Sequence, residues 1–209
     1  MSAREEMLSR IRRAQAAGAG SGRGAPPREY RRAGDGVPTT DELVALLVDR
    51  LVDYRAVVTT TLEDGLAEVI AAILARHEAR SVVVPEGFPD AAVPAGLEVV
   101  RDAPALSAVE LDSIATVVTT SAVAVAETGT IVLDAGPGMG RRALTLVPDL
   151  HVVLVRRDDV VRGVPEALTR LDPTRPLTWI SGPSATSDIE LNRVEGVHGP
   201  RRLEVVIVR

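Results

Sequence analysis

Cysteine and lysine are both missing from this chain, and each absence closes off a class of chemistry. Without a thiol the chain cannot ligate an iron–sulfur cluster through cysteine, build a zinc ribbon, attack as a thiolate or form a disulfide. Without lysine it has neither a Schiff-base amine nor the lysine of a Walker A loop, and all 24 basic residues are arginine. Tyr30, Tyr54, Phe88 and Trp179 are the only aromatic residues, too few for the stacking platforms that hold single-stranded nucleic acid. Nucleic acid is therefore not an expected partner. No apolar run approaches the roughly 18 residues of a membrane span, and Arg4, Glu5, Glu6, Arg10, Arg12 and Arg13 break up any secretory signal. A soluble, cytoplasmic protein is expected.

What remains is an apolar chain of ordinary domain size, 209 residues with 45% hydrophobic content, enough to bury a substantial core. Its net charge of −5 is unevenly spread: residues 1–36 carry 8 Arg against 4 acids, and residues 37–209 carry 16 Arg against 25 acids. Residues 1–36 read as a helical arm with a flexible linker. Ser2 and Glu5 have capping-box spacing ahead of Met7, Leu8 and Ile11, and a run rich in glycine and proline follows from Gly18 to Pro38. The arm is a solvated basic segment, or one that docks on an acidic surface.

Residues 37–209 alternate helical and strand patterns. Thr39 and Glu42 repeat the capping signature before Leu43, Leu46, Leu47 and Leu51, and Leu66 to His77 gives a second amphipathic helix. Short apolar runs at 56–60, 81–84, 97–100, 116–119, 130–133, 151–155, 177–180 and 203–208 read as strands, with a further helix at 165–171. Continuous rather than alternating apolar strands between helices predict an α/β fold: a mostly parallel sheet with helices on both faces. The segment 134–140, DAGPGMG, has neither G-x-G-x-x-G nor Walker A spacing and reads as a flexible hairpin loop. Arg141 and Arg142 beside it are candidate anion contacts.

Candidate chemistry gathers in two places. Glu127, in Glu127-Thr128-Gly129-Thr130, suits a general base, a carboxylate nucleophile or a plain acceptor. Thr178 to Pro200, TWISGPSATSDIELNRVEGVHGP, is dense in hydroxyls and turns. There Gly182-Pro183 stops a strand, and Ser187 with Glu190 is spaced to cap a short helix. Ser184 and Thr186 lack a nucleophile elbow, so ligand hydrogen bonding suits them better than attack. His198 sits in a turn that needs no imidazole and is a candidate for proton transfer. His77 reads as a surface residue at a helix end, and His151 as structural. No two histidines have the helical spacing of a zinc site, and His198 with Asp188 or Glu190 is only a weak metal set; none is assigned.

The stretches AETGTIVLDAGP, RALTLVPDLHVVLV and GPSATSDIELNRVEGVHGP, in that order, resemble the LUD-domain family of lactate-utilisation proteins, over nearly the whole chain. The resemblance implies a fold of the type shared by ribose-5-phosphate isomerase, glucosamine-phosphate deaminase and CoA transferases. It also implies a role beside two iron–sulfur proteins in oxidising L-lactate to pyruvate. The clusters would then belong to the partners, since this chain has no cysteine to hold one and is expected to bind no cofactor itself. By the same resemblance Glu127, Thr128, Gly129, Thr130 and Arg142 form one half of a pocket, and Ser184, Thr186, Asp188, Glu190 and His198 the other; a small carboxylate or a partner is its expected occupant. Two alternatives stay open: an independent enzyme on a sugar phosphate or acyl-CoA using Glu127, and a binding or assembly module without chemistry.

Overall fold

Helix starts in this chain are written locally, by a hydroxyl and a glutamate three residues apart, and the computed structural model contains them. It describes residues 2–18, 29, 38–114, 116–186, 194–195 and 199–209. In α1 (Ala3–Gly18) the Ser2 amide donates to Glu5 Oε2 at 2.8 Å and the Glu5 amide to Ser2 Oγ at 3.3 Å. Residues 1–31 form a unit of their own in which α1 buries no side chain. The same reciprocal box, Thr39 with Glu42, opens α2 (Thr40–Asp53). Each satisfies amides that the first helical turn leaves without partners.

The rest follows in the order β1 (Val57–Thr61), α3 (Leu66–Arg76), β2 (Ser81–Val84), β3 (Glu98–Arg101), α4 (Ala108–Ile114), β4 (Thr116–Thr120), β5 (Val123–Val125), β6 (Thr130–Leu133), β7 (Leu150–Arg156), β8 (Val160–Val161), α5 (Val164–Arg170), β9 (Thr178–Ile180), β10 (Ala185–Thr186), β11 (Val194–Glu195) and β12 (Arg202–Val208). Six strands make one sheet in the order β1-β12-β7-β4-β2-β3, every neighbouring pair parallel. This is the expected α/β fold.

α3 covers one face of that sheet, burying Leu66, Ile70, Ile73 and Leu74 on Val82, Val118, Val152 and Val206. α2 lies on the other face, where Val44, Leu47 and Leu51 meet Val153, Val205 and Ile207. α4 packs on Val83 and Val117 beside it. This second face is shared with a smaller sheet that sequence pattern did not separate, β8-β5-β6-β9, and α5 closes its far side on Val123, Val125 and Val132.

The apolar run after Ile114, read as two strands, holds three. β4 ends at Thr120, the Ser121 hydroxyl donates to Leu154 O at 2.9 Å, and the chain passes into the small sheet as β5. All three strands are buried, so no polar alternation marks the change of sheet. α4 was also missed, although Ser107 and Glu110 form a third capping box at its start.

DAGPGMG is not a hairpin loop: it carries the chain from β6 in the small sheet back to β7 in the large one. Among the described residues β2 and β4 are in register at Val83 and Val117, and Gly138 bridges the segments that follow the two strands. Its amide donates to Glu86 O at 2.7 Å, and its carbonyl accepts from the Thr120 amide at 2.8 Å. A Cβ there would lie 2.6 Å from Thr120 Oγ1, so only glycine fits.

Leu47 and Leu51 are fully buried. Truncating either to alanine is expected to remove roughly 2–5 kcal/mol of unfolding free energy, and Thr39→Ala about 1 kcal/mol through the lost cap. Urea denaturation followed by circular dichroism measures all three; a Thr39→Ala loss as large as that of Leu51→Ala would show that the cap does more than close a helix.

Candidate functional site

Two glycines set the position of the two motif loops. Gly129 and Gly182 both have left-handed backbone, φ 59° and 85°. A Cβ on Gly129 would stand 2.7 Å from Arg50 Cβ, and one on Gly182 would stand 2.7 Å from Tyr54 Cβ. Both loops therefore press against the end of α2 at a distance that admits no side chain. Held there, their hydroxyls meet: Thr128 Oγ1 lies 2.7 Å from Thr130 Oγ1, which lies 2.8 Å from Ser181 Oγ. Ser181, which links the two loops, was not singled out in the sequence.

From Ser181 the loop runs along a cavity of about 170 Å³ lined by Thr145, Trp179, Ser184, Pro200 and His151, among others. It lies at the edge where β7 and β12 begin, and Leu203 is the register partner of His151. The Ser184 amide donates to Pro200 O at 2.8 Å, tying the loop to the residue that leads into β12. His151 is 1% exposed, with Nε2 2.8 Å from Thr119 Oγ1. Burial pushes its pKa down to about 3, so the ring is neutral at physiological pH. It combines the burial of a core residue with a place on a cavity wall, and nothing in the local sequence separates those roles.

The other expected site residues divide. Glu127 turns toward β8: its Oε1 accepts from Arg162 Nε at 2.9 Å, and its amide donates to Arg162 O at 3.0 Å. The carboxylate thus has a cation beside it and remains 40% exposed. Arg142 donates through Nη2 to Leu177 O at 2.7 Å, fastening the turn after DAGPGMG to the approach to β9. Thr186 lies in β10, opposite Val194 of β11. Asp188, Glu190, His198 and the expected helix cap at Ser187 fall outside the described residues. Among the described residues no three His, Asp or Glu side chains are grouped to hold a metal ion.

A second concavity lies at the opposite edge of the parallel sheet, past the C-terminal ends of β2 and β3. This cleft of about 590 Å³ is lined by Glu86, Asp102, Gly136, Pro137, Arg141 and Arg175, among others. Ligands of open α/β sheets commonly lie at such strand ends. Arg141 makes a two-point pair with Asp102 at 2.7 and 2.8 Å and also donates to Leu106 O. Burial raises the Asp102 pKa, but Arg141 and the Leu106 amide outweigh it and hold the carboxyl below its usual range. Arg175 pairs with Asp134 at 2.8 Å. With both arginines neutralised, Glu86 is left as the unbalanced charge among the lining residues named here.

The sequence pattern of the LUD domain matches residues 37–208. The chain belongs to the LUD-domain family. Within that family it is 48% identical over 171 residues to a Deinococcus radiodurans protein called Lactate utilization protein C, a match that covers 80% of each chain. A Bacillus velezensis protein of the same name is 26% identical over 219 residues, 87% of this chain and 90% of the relative. Among solved structures, a DUF162 family protein from Deinococcus radiodurans superposes with a TM-score of 0.72 at 41% identity, over 83% of this chain and all of the other. No helix among the described residues of this LUD-domain chain is long and apolar enough to cross a membrane.

The buried His151 makes a pH prediction. Its pKa is depressed in the native state from the ordinary imidazole value of 6.5, so the unfolded chain takes up a proton that the folded one refuses. Its contribution is intact above pH 6.5 and is lost as pH falls toward 3, at about 1.4 kcal/mol per pH unit. Between pH 7.5 and 5.5 the wild type should lose about 1 kcal/mol more than His151→Gln in parallel urea titrations; equal losses would show that the ring already carries its proton in the fold.

Proposed function

We propose that this chain is the cluster-free subunit of a lactate-utilisation system that oxidises L-lactate to pyruvate together with two iron–sulfur proteins. The observation that carries this reading is the 48% identity, over 80% of both chains, to the Deinococcus radiodurans protein called Lactate utilization protein C. The composition agrees with it. Oxidising lactate releases electrons, and in this reading clusters held by cysteines of the other chains take them, since this chain has no cysteine to ligate one. In this reading residues 1–36 are an arm and linker, residues 37–209 are the working LUD domain, and the cytoplasm is the compartment.

The site is assigned to the meeting of the Glu127–Thr130 turn with the loop after β9, with a small carboxylate as ligand. Thr128, Gly129, Thr130, Arg142, Ser184, Thr186, Asp188 and Glu190 are the ligand-binding candidates, and Glu127 and His198 the candidates for chemistry. The hydroxyl chain from Thr128 through Thr130 to Ser181 supports the pairing of the two loops. The Arg162 guanidinium, donating to Glu127 Oε1 at 2.9 Å, shows this carboxylate in use as a hydrogen-bond acceptor.

An independent enzyme acting on a sugar phosphate or acyl-CoA, with Glu127 as base or nucleophile, is the second reading; the 590 Å³ cleft has room for such a substrate, but Glu127 is not among its lining residues. Turnover of such a substrate by the isolated chain, abolished by Glu127→Gln, would carry it.

Deleting the gene is expected to abolish growth on L-lactate while leaving growth on pyruvate intact, and the tagged chain is expected to bring down two iron–sulfur proteins. Normal growth of the deletion strain on lactate would sink the main reading.

A further inference from the structure

We propose that His151 is a ligand-contacting residue of the cavity beside Trp179, and that this cavity takes the uncharged end of a short 2-hydroxy or 2-keto acid. Only the choice of acid rests on the lactate-utilisation reading; the cavity and its histidine stand on geometry.

His151 is 1% exposed yet lines the cavity. Its Nε2 is engaged by Thr119, itself fully buried. Nδ1 is then the ring nitrogen left for a ligand, and among the described residues it has no hydrogen-bond partner. Nδ1 is not a sealed orphan, since among the described residues the buried side-chain atom without a partner is Arg157 Nε; on the cavity wall this nitrogen is available to whatever enters, water or ligand.

The cavity measures about 170 Å³. A void of about 150 Å³ takes benzene, a molecule of about six heavy atoms, and lactate and pyruvate each have the same number. Besides the neutral His151, the described lining residues are hydroxyl, apolar or glycine, with no formal charge. Among these described lining residues a carboxylate pushed inside would lose its water without meeting a cation. The acid therefore enters with its hydroxyl or keto oxygen inward, toward His151 and the hydroxyls of Ser181 and Ser184, and its carboxylate at the mouth.

The Thr119 hydroxyl can serve either imidazole tautomer, as donor or as acceptor. When it donates to Nε2, Nδ1–H can donate to the keto oxygen of pyruvate. When Nε2–H donates to it, Nδ1 can accept from the hydroxyl of lactate. One side-chain pair thus accommodates both redox states of the same acid without a charge change in the core.

The test uses the full chain with ¹⁵N-labelled histidine, titrated with L-lactate, pyruvate and 2-hydroxyhexanoate while Trp179 emission is followed. A saturable change in emission with the three-carbon acids, accompanied by a shift of the His151 Nδ1 resonance, is expected. His151→Leu should weaken binding about tenfold or more, and His151→Gln should recover part of it. If His151→Leu fails to fold, the wild-type resonances decide alone. A silent Nδ1 at saturation, no binding at millimolar acid, or equal binding of 2-hydroxyhexanoate would overturn the proposal. None of these outcomes bears on the growth test, so the cavity assignment and the lactate-utilisation reading fail separately.

Discussion

In β12 every residue after Arg202 is buried, and in β7 every residue before Arg156. Strands so apolar need dry cover on both faces. α3 supplies one cover, and α2, α4 and the small sheet share the other. That second cover brings the Glu127–Thr130 turn and the loop after β9 into reach of one another, because both belong to the small sheet or border it. The close approach of Gly129 and Gly182 to the end of α2 then fixes their positions. Site geometry is in this sense a by-product of keeping water from the central strands.

Two buried titratable groups lie in these strands. Glu204, at 1% exposure on β12, faces α3 and is met by Arg76 Nη2 and His77 Nε2, each at 2.7 Å. His77 is thus not a simple surface residue: it caps α3 and reaches a buried carboxylate, which would be stranded without partners. His151 lies on the other face with a single neutral partner, Thr119. The first group is satisfied within the fold, whereas the second has hydrogen-bonding capacity left over beside a cavity. That difference marks His151, rather than Glu204, as a residue with a use beyond structure.

Much of the fold was legible in the chain. The boxes at Ser2–Glu5 and Thr39–Glu42 join residues three apart, so their geometry is local and readable before any tertiary contact forms. The continuous apolar strands announced a sheet buried on both faces, and the parallel six-stranded sheet agrees. The same uniformity hid the small sheet. When residues on both sides of a strand are buried, periodicity cannot report which sheet the strand joins, so the step from β4 to β5 left no trace. Gly138 was read as part of a flexible turn because its contacts, Glu86 and Thr120, are distant in sequence.

By itself the sequence determined the α/β class, the capped starts of α1 and α2, the exclusion of cysteine and lysine chemistry, and the family, because these depend on residue type and short spacing. The tertiary structure alone decided that Thr130 meets Ser181, that Glu127 turns to Arg162, and that a histidine indistinguishable from core lines a cavity. Each of these joins residues brought together by the packing of two sheets, and no local pattern records which distant side chains share a space once water has been driven out.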